Sequence, residues 1–259
     1  MSPSGALQFR VLGAGTAKAH PDRGPAGFVV THRGRDFLVD GGSGTLQRLA
    51  KAGIEPNELA GGVYSHRHID HTGDFVPLLF SFCVPPKRAA AYPVWAGTGF
   101  SAFYAQLQEI YGRWIQPAGG IHIHEHSLST TTRSDLGQGL TLVTAPANHS
   151  AGALHLRFET SECAVVFSGD TGPSDALAQL ATGADLLVTE CAGSDAQPIP
   201  GHLTPSSVLD LLERSQPKQA WVTHLYGHVD RAQALATLRR AGVPVRLASD
   251  GDLWATPTR

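Results

Sequence analysis

At 259 residues the chain is long enough to bury a large core, and its 42% hydrophobic and 16% charged residues are those of a globular protein, not a disordered or fibrous one. A net charge of −2, four lysines (Lys18, Lys51, Lys87, Lys218) and no basic run longer than two residues weigh against a long nucleic acid as the natural partner, since a phosphate backbone demands a basic footprint. Three scattered cysteines (Cys83, Cys163, Cys191) argue against a disulfide framework, no segment has the length of a membrane span, and residues 1–6 carry no basic-then-apolar leader, so the expected location is cytoplasmic.

Apolar runs bounded by turn residues predict strands over 7–13, 27–31, 36–40 and 62–65, with a helix over 44–52 closed by Gly53 in the C′ position. His20 and Arg23 lie in a Gly/Pro-bounded loop after the first strand, read either as an overhang of a cleft or as ordinary surface. Asp40 ends the third strand before a Gly-Gly turn. The fourth strand runs into His66-Arg67-His68-Ile69-Asp70-His71, which places four potential metal ligands within six residues. Imidazole and carboxylate together suit zinc and similar divalent ions. A loop at a strand end can turn His66 and His68 to one side and Asp70 and His71 to another, enough to feed two metals.

A helix is predicted over 78–83, a strand over 94–96 and a helix over 100–111. Phe80, Phe82, Tyr104, Tyr111 and Trp114 in this region read as core packing, though the apolar stretch 78–114 could also serve a homodimer interface. His122, His124 and His126 alternate, so a strand would put all three on one face, expected to be solvated. The second half repeats the theme. Strands are predicted over 140–145, 153–158, 163–168, 184–189, 220–223 and 245–248, and helices over 173–181 with a cap near Ser174, over 204–214 with Pro205 at its first position, and over 230–241. Cys163 and Cys191 read as buried small hydrophobes. His149, Asp170 and His224 each follow an apolar run, so each should sit at a strand's edge, where loops gather functional groups. Periodicity alone gives an α/β or α+β chain without an evident linker or repeat.

In chain order, Phe37-Leu38-Val39-Asp40-Gly41-Gly42, the His66–His71 stretch, Ala145-Pro146-Ala147-Asn148-His149-Ser150, Phe167-Ser168-Gly169-Asp170-Thr171 and Trp221-Val222-Thr223-His224-Leu225 together resemble the five motifs of the metallo-β-lactamase superfamily. The resemblance covers nearly the whole chain. It implies one domain over 1–259, a four-layer αββα sandwich of two mixed sheets with helices outside. It also implies a dinuclear centre with His66, His68 and His149 on one ion, Asp70, His71 and His224 on the other, and Asp170 bridging. Two Zn²⁺ are expected, with Mn²⁺ as an alternative in one site. The expected chemistry is hydrolysis by a metal-bridged hydroxide, in which Asp70 also serves catalysis. Asp40 would stand behind a ligating histidine and fix its orientation.

Gly201-His202-Leu203-Thr204-Pro205, with Glu190 upstream, resembles the paired motif of the ribonuclease Z group, in which such a histidine assists catalysis. Glu190 would then hold His202 cationic and correctly turned; a structural salt bridge is the other reading of Glu190, and a helix-entry cap that of His202. Tyr226 is the preferred substrate-facing aromatic. Only twenty-one positions separate His149 from Asp170, room for one hairpin but no tRNA-gripping arm, and no Pro-x-Lys-x-Arg-Asn segment is present. The resemblance is therefore to smaller ribonuclease Z-like hydrolases, and the expected substrate is a small phosphodiester. The alternatives are an acyl hydrolase (lactonase, thioesterase or β-lactamase-like), a sulfatase on the same scaffold, or a non-catalytic binding module.

Overall fold

A computed structural model describes residues 6–256; the stretch 1–6, on which the expected location rests, falls outside them but for Ala6. Two seven-stranded mixed sheets face each other. The first has the order β14-β1-β2-β3-β4-β5-β6, built from Leu7–Gly13 (β1), Gly27–His32 (β2), Arg35–Gly41 (β3), Gly61–Tyr64 (β4), Tyr92–Gly97 (β5), Ile121–His126 (β6) and Leu253–Ala255 (β14). The second has the order β13-β12-β11-β10-β9-β8-β7, built from Thr132–Gly137 (β7), Leu140–Pro146 (β8), Leu154–Glu159 (β9), Ala164–Phe167 (β10), Leu186–Glu190 (β11), Ala220–Thr223 (β12) and Val245–Leu247 (β13). β3 to β6 run parallel, as do β10 to β13, and the remaining pairs are antiparallel.

The central strands are apolar on both faces, and this fixes four layers. Side chains alternate across a strand, so Phe28, Val30, Phe37, Val39, Val165, Phe167, Leu186 and Val188 point between the sheets into one core. Their neighbours point outward: Val29 and Leu38 into a core under Phe75–Cys83 (α3) and Phe100–Tyr111 (α4), Val166 and Leu187 into a core under Asp175–Ala181 (α5) and Pro205–Ser215 (α6). Thr45–Lys51 (α1) and Arg231–Leu238 (α7) complete the outer layers. The expected αββα sandwich is what the chain forms. Among the described residues no helix is long and apolar enough to cross a membrane.

Local signals act as the sequence reading expects. Gly53 takes a positive φ of 72° after α1, Ser174 accepts the Leu177 N–H, and Thr204 forms a capping box ahead of Pro205. The last long helix begins at Arg231, because Asp230 is its cap, and it tightens to a 3₁₀ turn over Arg239–Ala241. The polar edge strand β7 and the three-residue β14 went unforeseen. The histidine ladder of β6 is solvated as expected at His122 and His124, both exposed, and departs from that reading at His126. His124 stacks on Trp95, and His126 is buried, bridging Thr144 and Ser134 of the opposite sheet at 2.8 and 2.9 Å. Among the aromatics Phe82 is buried and Tyr104 half-buried, but Phe80, Tyr111 and Trp114 are exposed, so core packing accounts for only part of that set. Cys191 is buried, whereas Cys163 is half-exposed at the β9–β10 turn.

His155 gives the fold a pH signature. Its ring is buried on β9, Nδ1–H donating to the Ser168 carbonyl at 2.7 Å and Nε2 2.9 Å from the Ser174 hydroxyl. Burial pushes its pKa from 6.5 down to about 4. A histidine whose folded pKa is depressed favours the unfolded chain once that chain protonates. Its stability contribution is therefore complete above the unfolded value and lost as pH falls towards the folded one. Unfolding free energy should drop by about 3 kcal/mol through this group alone across that window. Urea titrations of the natural chain and His155→Gln from pH 7 to pH 4 check this; equal slopes against pH would refute it.

Candidate metal centre

The centre lies where strands of both sheets end. Asp40 is the penultimate residue of β3, Ser65 to His71 follow β4, His149 follows β8, Asp170 follows β10, Glu190 ends β11 and His224 follows β12. Crossing loops at carboxyl strand ends bring these distant positions together. Asp40 and His224 hold left-handed backbones, φ 52° and 57°, uncommon for residues other than glycine and typical of functional turns.

The motif after β4 is not a loop throughout. Ile69–Thr72 forms one helical turn (α2), within which the Thr72 hydroxyl donates back to the His68 carbonyl at 3.0 Å. The turn sends Asp70 and His71 inward and leaves His68 and Ile69 exposed. Gly42 makes room for it, since a Cβ there would lie 2.2 Å from the Asp70 carbonyl oxygen.

Potential ligand atoms fall into three overlapping groups, each within 4.8 Å: His66, His68, His149 and Asp170; Asp70, His71 and His224; and Asp170, His202 and His224. Asp170 Oδ2 faces three imidazoles, 3.3 Å from His71 Nε2, 3.5 Å from His224 Nε2 and 3.8 Å from His66 Nε2. Asp70 Oδ2 lies 3.2 Å from His224 Nε2, and His68 Nδ1 lies 3.1 Å from His149 Nε2. All seven ligand candidates of the sequence reading thus converge. The grouping adds His202, which the sequence reading set apart from the ligands.

The residues fit a metal. His66 Nε2 and His71 Nε2 are buried with no hydrogen-bond partner among the described residues, an arrangement that costs free energy unless a further group completes it. Their other nitrogens are engaged. His71 Nδ1–H donates to Asp40 Oδ2 at 2.7 Å, His66 Nδ1–H to the Ser65 hydroxyl at 3.1 Å, and His149 Nδ1–H to the Gly201 carbonyl at 2.8 Å. Each bond fixes the tautomer that turns an Nε2 lone pair into the centre. Ser65 also gives its N–H and O–H to Asp40, both at 2.7 Å, so one carboxylate holds a histidine from each of the two main groups. Ser65, Gly201 and Arg67, which donates to the Gly99 and Ala151 carbonyls at 3.1 Å, were not singled out in the sequence. Adjacency to a motif was their only signal.

Burial would lower the pKa of His71 and of His224, but the Asp170 charge outweighs it and raises both, so without a cation these two rings hold protons that a bound metal would replace. Burial and the neighbouring His71 keep the His66 ring well below its ordinary pKa, hence neutral. Burial would raise the Asp170 pKa, but His224 and His71 outweigh it and hold the carboxylate ionised.

Glu190 and His202 form a pair beside these groups. Glu190 Oε1 lies 2.8 Å from His202 Nδ1, and the carboxylate also accepts the N–H groups of Thr171 and Ala192 at 2.8 and 2.9 Å. Burial would lower the His202 pKa, yet the Glu190 hydrogen bond and charge outweigh it and raise it. The ring lies parallel to His224 with centroids 5.8 Å apart and is half-buried, like His149, at the open side of the cleft. Tyr226, half-buried, meets His224 edge-on at 5.8 Å. His20 and Arg23 instead line a separate cavity with Arg10, Arg48 and Lys51.

Comparison with known proteins agrees with this architecture. Residues 35–225 match the model of the beta-lactamase superfamily domain. The chain is 28% identical over 251 residues to a ribonuclease Z of Mycobacterium bovis (strain BCG / Pasteur 1173P2), covering 92% of this chain and 83% of that one. It superimposes on the metallo-beta-lactamase fold protein YhfI of Bacillus subtilis with a TM-score of 0.81 at 19% identity, over 96% of this chain and 99% of that one. Against the short form of human tRNase Z the TM-score is 0.80 at 20% identity, over 97% and 100% of the two chains.

Proposed function

The chain belongs to the beta-lactamase superfamily, among its ribonuclease Z-like metal-dependent hydrolases, and from that premise we propose that it is a dinuclear zinc phosphodiesterase acting on small phosphodiesters as one catalytic domain. His66, His68 and His149 would hold one ion, Asp70, His71 and His224 the other, and Asp170 both; manganese is the alternative occupant of one site. Ions held there supply a water that deprotonates near neutral pH and positive charge for the phosphoryl oxygens.

The observation that carries the reading is the Glu190–His202 pair. Its imidazole borders the ligand groups from the open side of the cleft, and its raised pKa keeps a proton available. A proton held on the Nε2 side of that ring can pass to a departing oxygen, while Glu190 fixes Nδ1 and the ring plane. Asp70 holds His224 in position, and Tyr226 offers a ring edge to the substrate's organic part. The span between His149 and Asp170 contains only the β9–β10 hairpin, and the chain's net charge is −2, which together favour a small diester over a long RNA.

Turnover of a chromogenic phosphodiester by zinc-loaded protein, against the matching monoester, tests the reading. Diester turnover should dominate and vanish on chelation. Absence of diester turnover with metal bound would overturn it in favour of carbonyl or sulfate esters.

A further inference from the structure

A second basic site lies away from the metal ligands. Between α1, the end of β1, the loop through His20–Gly24 and the Asp250–Gly251 turn is a cavity of about 440 Å³, none of whose lining residues belongs to the ligand groups. Arg10, Arg23, Arg48 and Lys51 line it, against only two carboxylates, Asp22 and Asp250. In a chain of net charge −2 this is a local concentration of positive charge.

Half of that charge is uncompensated by the carboxylates of the lining. Arg48 Nε lies 3.4 Å from Asp250 Oδ2. The two Asp250 oxygens already accept backbone N–H groups, Oδ1 from Ala14 and Oδ2 from Gly24, each at 2.8 Å. Among the described residues, the side chains of Arg10, Arg23 and Lys51 have neither a hydrogen bond nor an ion pair. Beyond the cavity, burial and then the charge of Arg23 lower the Arg231 pKa, a further sign of crowded cations. Guanidinium groups bind tetrahedral oxyanions through paired N–H donors and lysine adds a mobile point charge. The volume falls within the range of about 300–1,000 Å³ typical of small-molecule sites.

We infer that this cavity binds a small phosphate-bearing anion, with Arg10, Arg23, Arg48 and Lys51 as its donors. The site shares no lining residue with the ligand groups of the metal centre but is not mechanically isolated from them. Asp250 fixes Ala14 through its N–H, and the Ala14 carbonyl accepts the His224 N–H at 3.0 Å. An anion that draws Arg48 away from Asp250 acts on the strand end that backs His224.

Equilibrium dialysis of radiolabelled sulfate against the metal-loaded full chain tests the site, sulfate standing for the phosphate group without precipitating zinc. Arg10→Gln/Lys51→Gln should bind sulfate at least about tenfold more weakly than the natural chain, with hydrolytic turnover in sulfate-free buffer unchanged or altered only in KM. The charge-preserving Arg10→Lys/Lys51→Arg should retain binding. Sulfate inhibition that competes with the ester and disappears in the Gln variant would identify the ligand as a distal phosphate of the substrate. A change in kcat at constant KM would identify a separate effector. Identical binding curves for the natural chain and the Gln variant would place all bound sulfate at the metal centre and overturn the site, as would equal loss in both double variants.

Discussion

Asp170→Asn should strip metal from both halves of the centre and lower turnover by more than about a thousandfold. The magnitude follows from position. Loss of a partner standing behind a ligand already costs about 10–100-fold in metal affinity, and Asp170 is closer in than that. Its Oδ2 faces three imidazole nitrogens from two distant segments, His66 and His71 after β4 and His224 after β12, and it belongs to both ligand groups that contain His66 and His202. Asparagine keeps the shape but removes the charge and one acceptor, so His66, His71 and His224 would face a neutral amide. Metal content by mass spectrometry, turnover and circular dichroism of the same preparation check the expectation. A folded variant that retains two ions and full turnover would remove Asp170 from the centre.

The legibility of this chain follows the burial of its parts. Strands buried on both faces, such as β3, β10 and β11, read as unbroken apolar runs and were visible. β7 was not, because Thr132, Arg133, Ser134 and Asp135 carry no alternation; as an edge strand with little to bury, it is placed by pairing with β8 through the turn at Gln138 and Gly139. β14 is three residues placed by the register of Trp254 against Phe9. Residues with distinctive chemistry at strand ends could be gathered from the sequence, and the structure brings them into one cleft. What holds them in orientation could not, because Ser65, Gly201 and Arg67 act through a hydroxyl, a carbonyl and two long-range donors that no local pattern announces. His126 failed for a related reason. Alternation gives a side chain's face but not its partners, and Thr144 and Ser134 come from the other sheet. The convergence of Arg10, Arg48 and Lys51 with a loop near residue 23 is likewise a product of folding.

His202→Ala should lower turnover by about 10²–10⁴-fold with metal content unchanged, the range expected for loss of a positioned proton donor. The ring is held by Glu190 and stands at the cleft's open side, whereas the two main ligand groups are complete without it. A proton donor matters in proportion to the basicity of the oxygen that leaves. The loss should therefore be largest for diesters with alkoxide leaving groups and smallest for nitrophenolate, which departs without protonation. Natural and variant proteins compared across a series of leaving groups give this directly, and the slope of log kcat/KM against leaving-group pKa should steepen in the variant. Equal losses across the series would assign His202 to stabilising charge on the phosphoryl oxygens, since that contribution does not depend on the leaving group. Unchanged turnover throughout would leave the Glu190–His202 pair as a structural ion pair and remove the observation on which the phosphodiesterase reading stands.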